Sequence, residues 1–312
     1  MGRLFSRDFS SSAHKKTKSD LGLQEKKSNS RIFWGREYHN LDNSAYMLPK
    51  DNKEIDRLHD QHFITKELLG FNIMSEAFRM LDFEKKRLYV LDLCCGPATW
   101  LCEESLEYPN CHFTGIDMCS LWPQDIRPVN LQFTEADVMR GLPYPDQSFD
   151  FIQLKFAELS FRPNEWTFVI NEIERVLKDG GCFQWVDIDM RIHVTTEDTV
   201  IKSYNEAFES FCTSYQLNPS TGSKLCQFLI NEKMSVIQTE YREIPLGWGG
   251  LVGNAYLQTF GDFLEGLGPW LKESFNIEEE EDYQLLVQNT KDAFVNSKAH
   301  INMYAFLVRK QQ

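Results

Sequence analysis

The chain has 312 residues, enough for one large domain or two small ones, and its 42% hydrophobic content allows a substantial core. Its formal charge of −13 is uneven: the residues before Ile32 carry eight Lys/Arg against three acids, a net +5, which leaves −18 on the remainder. So acidic a body, without a basic stripe interleaved with aromatics, repels phosphate backbones; it argues against a nucleic-acid substrate and leaves a small molecule or a protein as the partner.

The first thirty residues mix serines with lysines and have no apolar periodicity. Such sequence buries too little apolar surface to offset ordering entropy, so residues 1–30 are expected to be a disordered tail and 31–312 the folded part. Met1-Gly2-Arg3-Leu4-Phe5-Ser6 satisfies the N-myristoylation pattern, and the nearby basic residues would supply the second signal that one acyl chain needs. Weak membrane association through an acylated Gly2 stands beside the plainer reading, a tail with a chance match. Asp8, Asp20 and Glu25 count against a transit peptide. Neither a secretory segment nor a run of eighteen apolar residues occurs. Eight cysteines are scattered without a C-x-x-C pair or a His-x-x-x-His partner. They read as reduced thiols in a cytoplasmic or nuclear protein, with no metal site.

Asp51, with Glu54 three residues later, forms a capping box that opens a helix with Ile55, Leu58, His62 and Leu69 on one face. A first strand follows at Leu88–Leu93, then a helix to about Glu107, then strands at Cys111–Ile116, Leu131–Thr134 and Phe149–Leu154. After Pro163-Asn164 a helix carries Trp166, Val169, Ile170, Ile173 and Val176 at helical spacing, with Gly180 as its C-cap. The fifth strand is Cys182–Asp187, residues 197–233 give two amphipathic helices, and the last two strands are Val236–Ile244 and Ile301–Val308. Seven of the 17 glycines fall between residues 247 and 268, among Tyr256, Phe260 and Phe263. That pattern suits a flexible lid over a substrate, or equally a packed helical hairpin.

The chemistry concentrates at the first strand. Tyr89-Val90-Leu91-Asp92-Leu93 breaks at the small-residue turn Cys94-Cys95-Gly96-Pro97-Ala98, and the next strand ends in an acid, Asp117. A turn that lets a ligand approach the backbone, with an acid that can accept from both ribose hydroxyls, describes a nucleotide-type site. A dinucleotide fingerprint needs three glycines, and only Gly96 is present.

The turn instead resembles the first motif of the class I S-adenosylmethionine-dependent methyltransferases, D/E-x-G-x-G-x-G. The likeness continues through Phe133-Thr134-Glu135-Ala136-Asp137-Val138, Gly141-Leu142-Pro143-Tyr144-Pro145-Asp146-Gln147-Ser148-Phe149-Asp150 and Arg175-Val176-Leu177-Lys178-Asp179-Gly180-Gly181. Upstream, Tyr46-Met47-Leu48-Pro49-Lys50-Asp51 with Glu54, Arg57 and Leu58 is similar to the leader of a fungal-type branch. That branch holds trans-aconitate methyltransferase-like proteins and secondary-metabolism regulators.

The resemblance implies an α/β fold: a Rossmann-like, seven-stranded, mostly parallel sheet with helices on both faces. It also implies a helical insertion between the last two strands, with a core at 50–245 and 300–310 and a lid at 246–299. Its cofactor would be S-adenosyl-L-methionine and its reaction methyl transfer to a small molecule or protein; the alternative is a catalytically weak or inactive binding protein. Asp92 would steer the turn and the methionine amino group, Asp117 with Met118 the ribose, and Asp137 with Val138 the adenine, while backbone near Gln153 and Leu154 would meet the methionine end. No catalytic side chain is compelled, since positioning alone can align a nucleophile with the methyl group; His62 and Asp187 are the candidate bases. Two positions depart from the motif, Cys94 for its first glycine and Ala98 for its third. Cys94 is expected to crowd the cofactor, and Cys94→Gly to lower stability by the roughly 0.5–1 kcal/mol of glycine's extra chain entropy.

Overall fold

The computed structural model describes residues 30–40, 44–224 and 233–311. A short antiparallel hairpin, β1 (Ser30–Phe33) and β2 (Arg36–His39), precedes the main sheet. The main sheet comprises β3 (Tyr89–Leu93), β4 (His112–Asp117), β5 (Leu131–Glu135), β6 (Phe149–Lys155), β7 (Leu177–His193), β8 (Met234–Pro245) and β9 (His300–Lys310). Its order is β5-β4-β3-β6-β7-β9-β8; the first five pair in parallel and β9 runs antiparallel to both of its neighbours. This is the expected Rossmann-like sheet. The helices are α1 (Asn52–Leu69), α2 (Ser75–Leu81), α3 (Thr99–Glu107), α4 (Trp166–Val176), α5 (Thr199–Ser214), α6 (Leu251–Leu271) and α7 (Glu280–Asn296). The last two form the expected insertion between β8 and β9. The second helix anticipated within 197–233 falls partly on residues 225–232, outside the described residues; residues 221–224 are helical.

Alternation along the central strands divides the core in two. Val90, Phe113 and Phe151 pack on one face with Trp100 and Leu101 of α3, while Leu91, Ile116 and Ile152 pack on the other with Val169, Ile170 and Ile173 of α4. All but Trp100 and Ile170 are completely inaccessible to solvent, each contributing about 1.5–3 kcal/mol of burial.

Three local outcomes differ from the sequence reading. First, Gly180 does not cap α4, which ends at Val176 with β7 starting at the next residue. The terminal carbonyls of Arg175 and Val176 accept instead from the N–H groups of Gln147 and Ser148, at 2.9 and 2.8 Å. Gly180, at φ +78°, lies in the bulge between the Phe149–Leu177 and Phe151–Cys182 pairs. Second, α1 is capped as expected, Asp51 accepting from the Glu54 N–H at 3.0 Å, but its inward face is polar: Glu54, Arg57, Gln61, His62 and Thr65 are buried with Leu69. Ile55 and Leu58 are only half-buried. Third, the glycines of α6 serve close packing. A Cβ on Gly266 would stand 3.1 Å from Pro49, and one on Gly268 would collide with the Trp34 ring.

The β1–β2 hairpin brackets this helical cover. Tyr38 donates to the Gly266 carbonyl at 2.9 Å and meets Trp270 edge-on at 4.7 Å, and Arg36 clasps Asp51 with bonds of 2.6 and 2.8 Å.

Candidate functional site

Strand order reverses at β3, with β4 on one side and β6 on the other, so the carboxyl ends of these strands flank a crevice. A cavity of about 650 Å³ occupies it, a size suited to a nucleoside-bearing ligand. Its floor is the turn after β3. Cys94, Gly96 and Ala98 have φ of +58°, +51° and +61°, so alternate residues of the turn are left-handed. These are the three positions at which the family motif carries glycine. The backbone path is therefore kept although two of the three residues carry a Cβ, which costs about 1–2 kcal/mol for each such residue. Cys94→Gly should relieve that strain, so the stability loss expected from the sequence is reversed in sign.

Asp92, Cys94 and Gly96 from the β3 end, Asp117 and Met118 from the β4 end, and Asp137 and Val138 beyond β5 all line this one cavity. The Asp117 carboxylate accepts from the Gly96 N–H at 2.9 Å and the Cys119 N–H at 3.0 Å, tying the turn to the second strand. Burial still raises its pKa against those bonds. Asp137 accepts from the Met139 N–H at 2.9 Å and caps the single 3-10 turn Val138–Arg140. Asp92 is 5% exposed, and its carboxylate has no hydrogen-bond partner among the described residues. Burial raises its pKa well above the usual carboxylate range, with Lys155 opposing.

Gln153 and Leu154 do not line the cavity. β6 runs one residue further than anticipated, so Leu154 belongs to the core and Gln153 bonds Gln184 at 2.9 Å, while Lys155 and Phe156 face the ligand space. Lys155 was missed by the sequence reading. Its Nζ lies 3.4 Å from Nδ1 of His62, whose Nε2 lies 3.0 Å from Glu103. Burial, then Lys155, lowers the His62 pKa to about 4, so the imidazole is neutral; it donates from Nε2 to Glu103 and accepts at Nδ1 from Lys155. Burial also lowers Lys155 to about 8, against the pull of Asp92, Glu103 and Glu104. Glu103 is brought down to about 2, overcoming its own burial, by bonds from Lys66, His62 and Asn72. His62 thus lines the cavity as the middle of a Glu103–His62–Lys155 chain. Asp187 does not reach the large cavity: it is fully buried, accepts from Trp185 Nε1 at 3.0 Å and the Ile188 N–H at 2.9 Å, and lies against Glu158.

Residues 90–181, from β3 into β7, match the model of a methyltransferase domain. That match, the sheet order and the turn after β3 support a class I S-adenosylmethionine-dependent methyltransferase domain. It is similar to a secondary metabolism regulator, laeA, of Coprinopsis cinerea, 29% identical over 166 residues that make up 52% of this chain and 40% of that protein. It is also similar to the N-methyltransferase verN of Clonostachys rogersoniana, 31% identical over 147 residues, 46% of this chain and 50% of that protein. The chain thus spans half or less of the length of these curated relatives. A solved structure described as a putative sarcosine dimethylglycine methyltransferase from Galdieria sulphuraria superposes with a TM-score of 0.46 at 13% identity, covering 81% of this chain and 86% of that one.

The residues present fit the family's cofactor. An unpartnered, nearly buried carboxylate at Asp92 is a ready acceptor for an ammonium group, and Lys155 opposite it is a ready donor to a carboxylate. The methyltransferase turn leaves Gly96 with nothing nearer to an added Cβ than Leu58, at 3.7 Å. Among the described residues no group of three His, Cys, Asp or Glu side chains could hold a metal ion, and no helix is long and apolar enough to cross a membrane.

Proposed function

We propose that this protein transfers a methyl group from S-adenosylmethionine to a small-molecule or protein acceptor. The observation that carries the reading is the set of acids Asp92, Asp117 and Asp137 around one cavity at the switch point of the sheet. Asp92 would hold the methionine ammonium, Lys155 the methionine carboxylate, Asp117 the ribose hydroxyls and Asp137 with the Val138 backbone the adenine edge. When bound, S-adenosylmethionine supplies a methyl group already made electrophilic by its sulfonium. The protein's share is alignment and exclusion of water, and fixed positioning is worth several kcal/mol of the barrier. His62, held neutral and anchored by Glu103, orients Lys155 toward the cavity. Calorimetric titration with S-adenosylmethionine tests the site, and transfer of a labelled methyl group into a cell extract tests the reaction. Binding without transfer is the outcome for a fold kept as a regulator, and no binding refutes both readings.

For residues 1–30, outside the described residues but for Ser30, the reading is a tail that governs location. The body belongs in the cytoplasm or nucleus, with attachment to membranes only through an acylated Gly2. Identical fractionation of native and Gly2→Ala proteins removes the anchor.

A further inference from the structure

Beside the cavity lies an annex of about 40 Å³ that shares Tyr46, Leu58, Gln61, Phe156 and Ser160 with it. Further in, Tyr256, Phe260 and Phe263 make the walls aromatic, and two charged residues, Arg57 and Glu158, face the space. Arg57 is already neutralised: Glu54 takes its Nε and Nη2 at 3.0 and 2.7 Å, and its remaining reach goes to Gln61 and the Phe263 ring. Glu158 is in the opposite condition. It is 6% exposed, its Oε2 has no hydrogen-bond partner, and no Lys or Arg forms an ion pair with it among the described residues. It hydrogen-bonds a second acid, Asp187, whose pKa is held well above the usual range by burial and then by Glu158, and its charge also reaches the Tyr256 hydroxyl. Asp187 therefore keeps its proton and donates it in the hydrogen bond to Glu158, which leaves Oε2 free. A buried carboxylate that lacks a cation is expensive to maintain, and aromatic faces around it add attraction for positive charge.

Resting on the methyl-transfer reading, we propose that the annex receives the nitrogen end of the methyl acceptor, a primary or secondary alkyl amine that enters as its ammonium form and binds Glu158. The space admits a group of a few atoms, so the amine's substituent remains in the larger cavity. Methylation then requires one N–H proton to pass to Glu158 Oε2, which frees the nitrogen lone pair. That pair forms the new N–C bond while the electrons of the S–C bond leave with sulfur. A carboxylate acceptor is repelled by Glu158, and a neutral hydroxyl lacks the positive charge that draws an ammonium group to it.

The test uses the full chain saturated with S-adenosylhomocysteine, whose binding is measured first; failure at that step refutes methyl transfer itself and leaves the amine question separate. Benzylamine, benzyl alcohol and benzoate are then titrated calorimetrically. Benzylamine is expected to bind at least tenfold more tightly than the other two, and Glu158→Gln to abolish that preference while leaving homocysteine-nucleoside affinity unchanged. Equal binding of benzylamine and benzyl alcohol by the native protein overturns the proposal, whether or not the variant folds. So does an undiminished amine preference in folded Glu158→Gln protein.

Discussion

Replacing Asp117 by alanine separates two consequences that the structure allows to be estimated. Within the protein, the carboxylate holds the Gly96 and Cys119 N–H groups at 2.9 and 3.0 Å, one on each oxygen. Both N–H groups border the cavity and regain water when the carboxylate is removed, so the loss of fold stability should stay near the low end for charge-assisted bonds, about 1–2 kcal/mol. Toward the cofactor, each oxygen keeps a free lone pair, and two ribose hydroxyls would use them. Losing that acceptor should weaken binding by about 2–3 kcal/mol, a factor of roughly 30 to 150 in Kd. Isothermal titration with S-adenosylmethionine at 25 °C reads the affinity, and urea denaturation with an unchanged m value certifies the fold. Asp117→Asn, which keeps one acceptor oxygen, should fall between. A folded Asp117→Ala protein whose Kd stays within threefold of native refutes the role assigned to Asp117.

Cys94→Gly should raise stability by about 0–1 kcal/mol, because relief of a left-handed Cβ outweighs glycine's extra chain entropy; a lower melting temperature would show that the thiol's packing dominates. Lys155→Met should weaken S-adenosylmethionine binding about tenfold and flatten its pH profile. The native affinity should decline as pH rises through about 8, where the free protein must take up a proton to offer Lys155 as a cation, and a profile identical in both proteins would remove Lys155 from the site. The His62 pKa is about 6.5 unfolded and about 4 folded, so the unfolded chain binds more protons in between and stability falls as pH drops through that window. That loss reaches roughly 2 kcal/mol by pH 5. His39 and His193, also lowered chiefly by burial, act in the same direction. Denaturation of His62→Gln at pH 7 and pH 5 should therefore show a smaller difference than native, and equal slopes would refute a neutral buried His62. Glu54→Gln should cost about 3–5 kcal/mol by stranding buried Arg57, measured by urea denaturation, and a loss under 1 kcal/mol would mean that Arg57 finds water.

The parts of the molecule legible in the sequence are those set by short-range periodicity and by the βα turn. Strand alternation located β3 to β6 within a residue or two, and the spacing of Trp166 to Val176 located α4. What escaped depended on a single-residue step or on distance along the chain. On a strand, consecutive side chains face opposite ways, so ending β6 at Leu154 or at Lys155 decides which of them meets the ligand. Helix α1 was legible only in part: the apolar spacing placed His62 and Leu69 on the inner face, where both are buried, and Leu58, which borders the cavity, but it gave no sign of Glu54 and Arg57 buried beside them. The E-x-x-R spacing of the leader held that information, since residues three apart on a helix are neighbours. Nothing local announced Glu158, in the turn after β6, whose meaning arises from its contact with Asp187 on β7. The hairpin at residues 30–39 was hidden because its strands are four residues long and mostly polar.

The position of β9 has a consequence for how the chain is made. β8 pairs with no main-sheet strand except β9, and β9 also closes the free edge of β7. During synthesis, then, β7 is translated and the sheet must wait with an open edge until everything between His193 and His300 has emerged. Throughout that interval β8 has no place to dock, and two strand edges bearing unsatisfied N–H and C=O groups are available to other chains. Slowed elongation ahead of residue 300, or a nascent chain released there, should thus send the polypeptide toward aggregation or chaperones even though every residue of the cofactor turn has already been made.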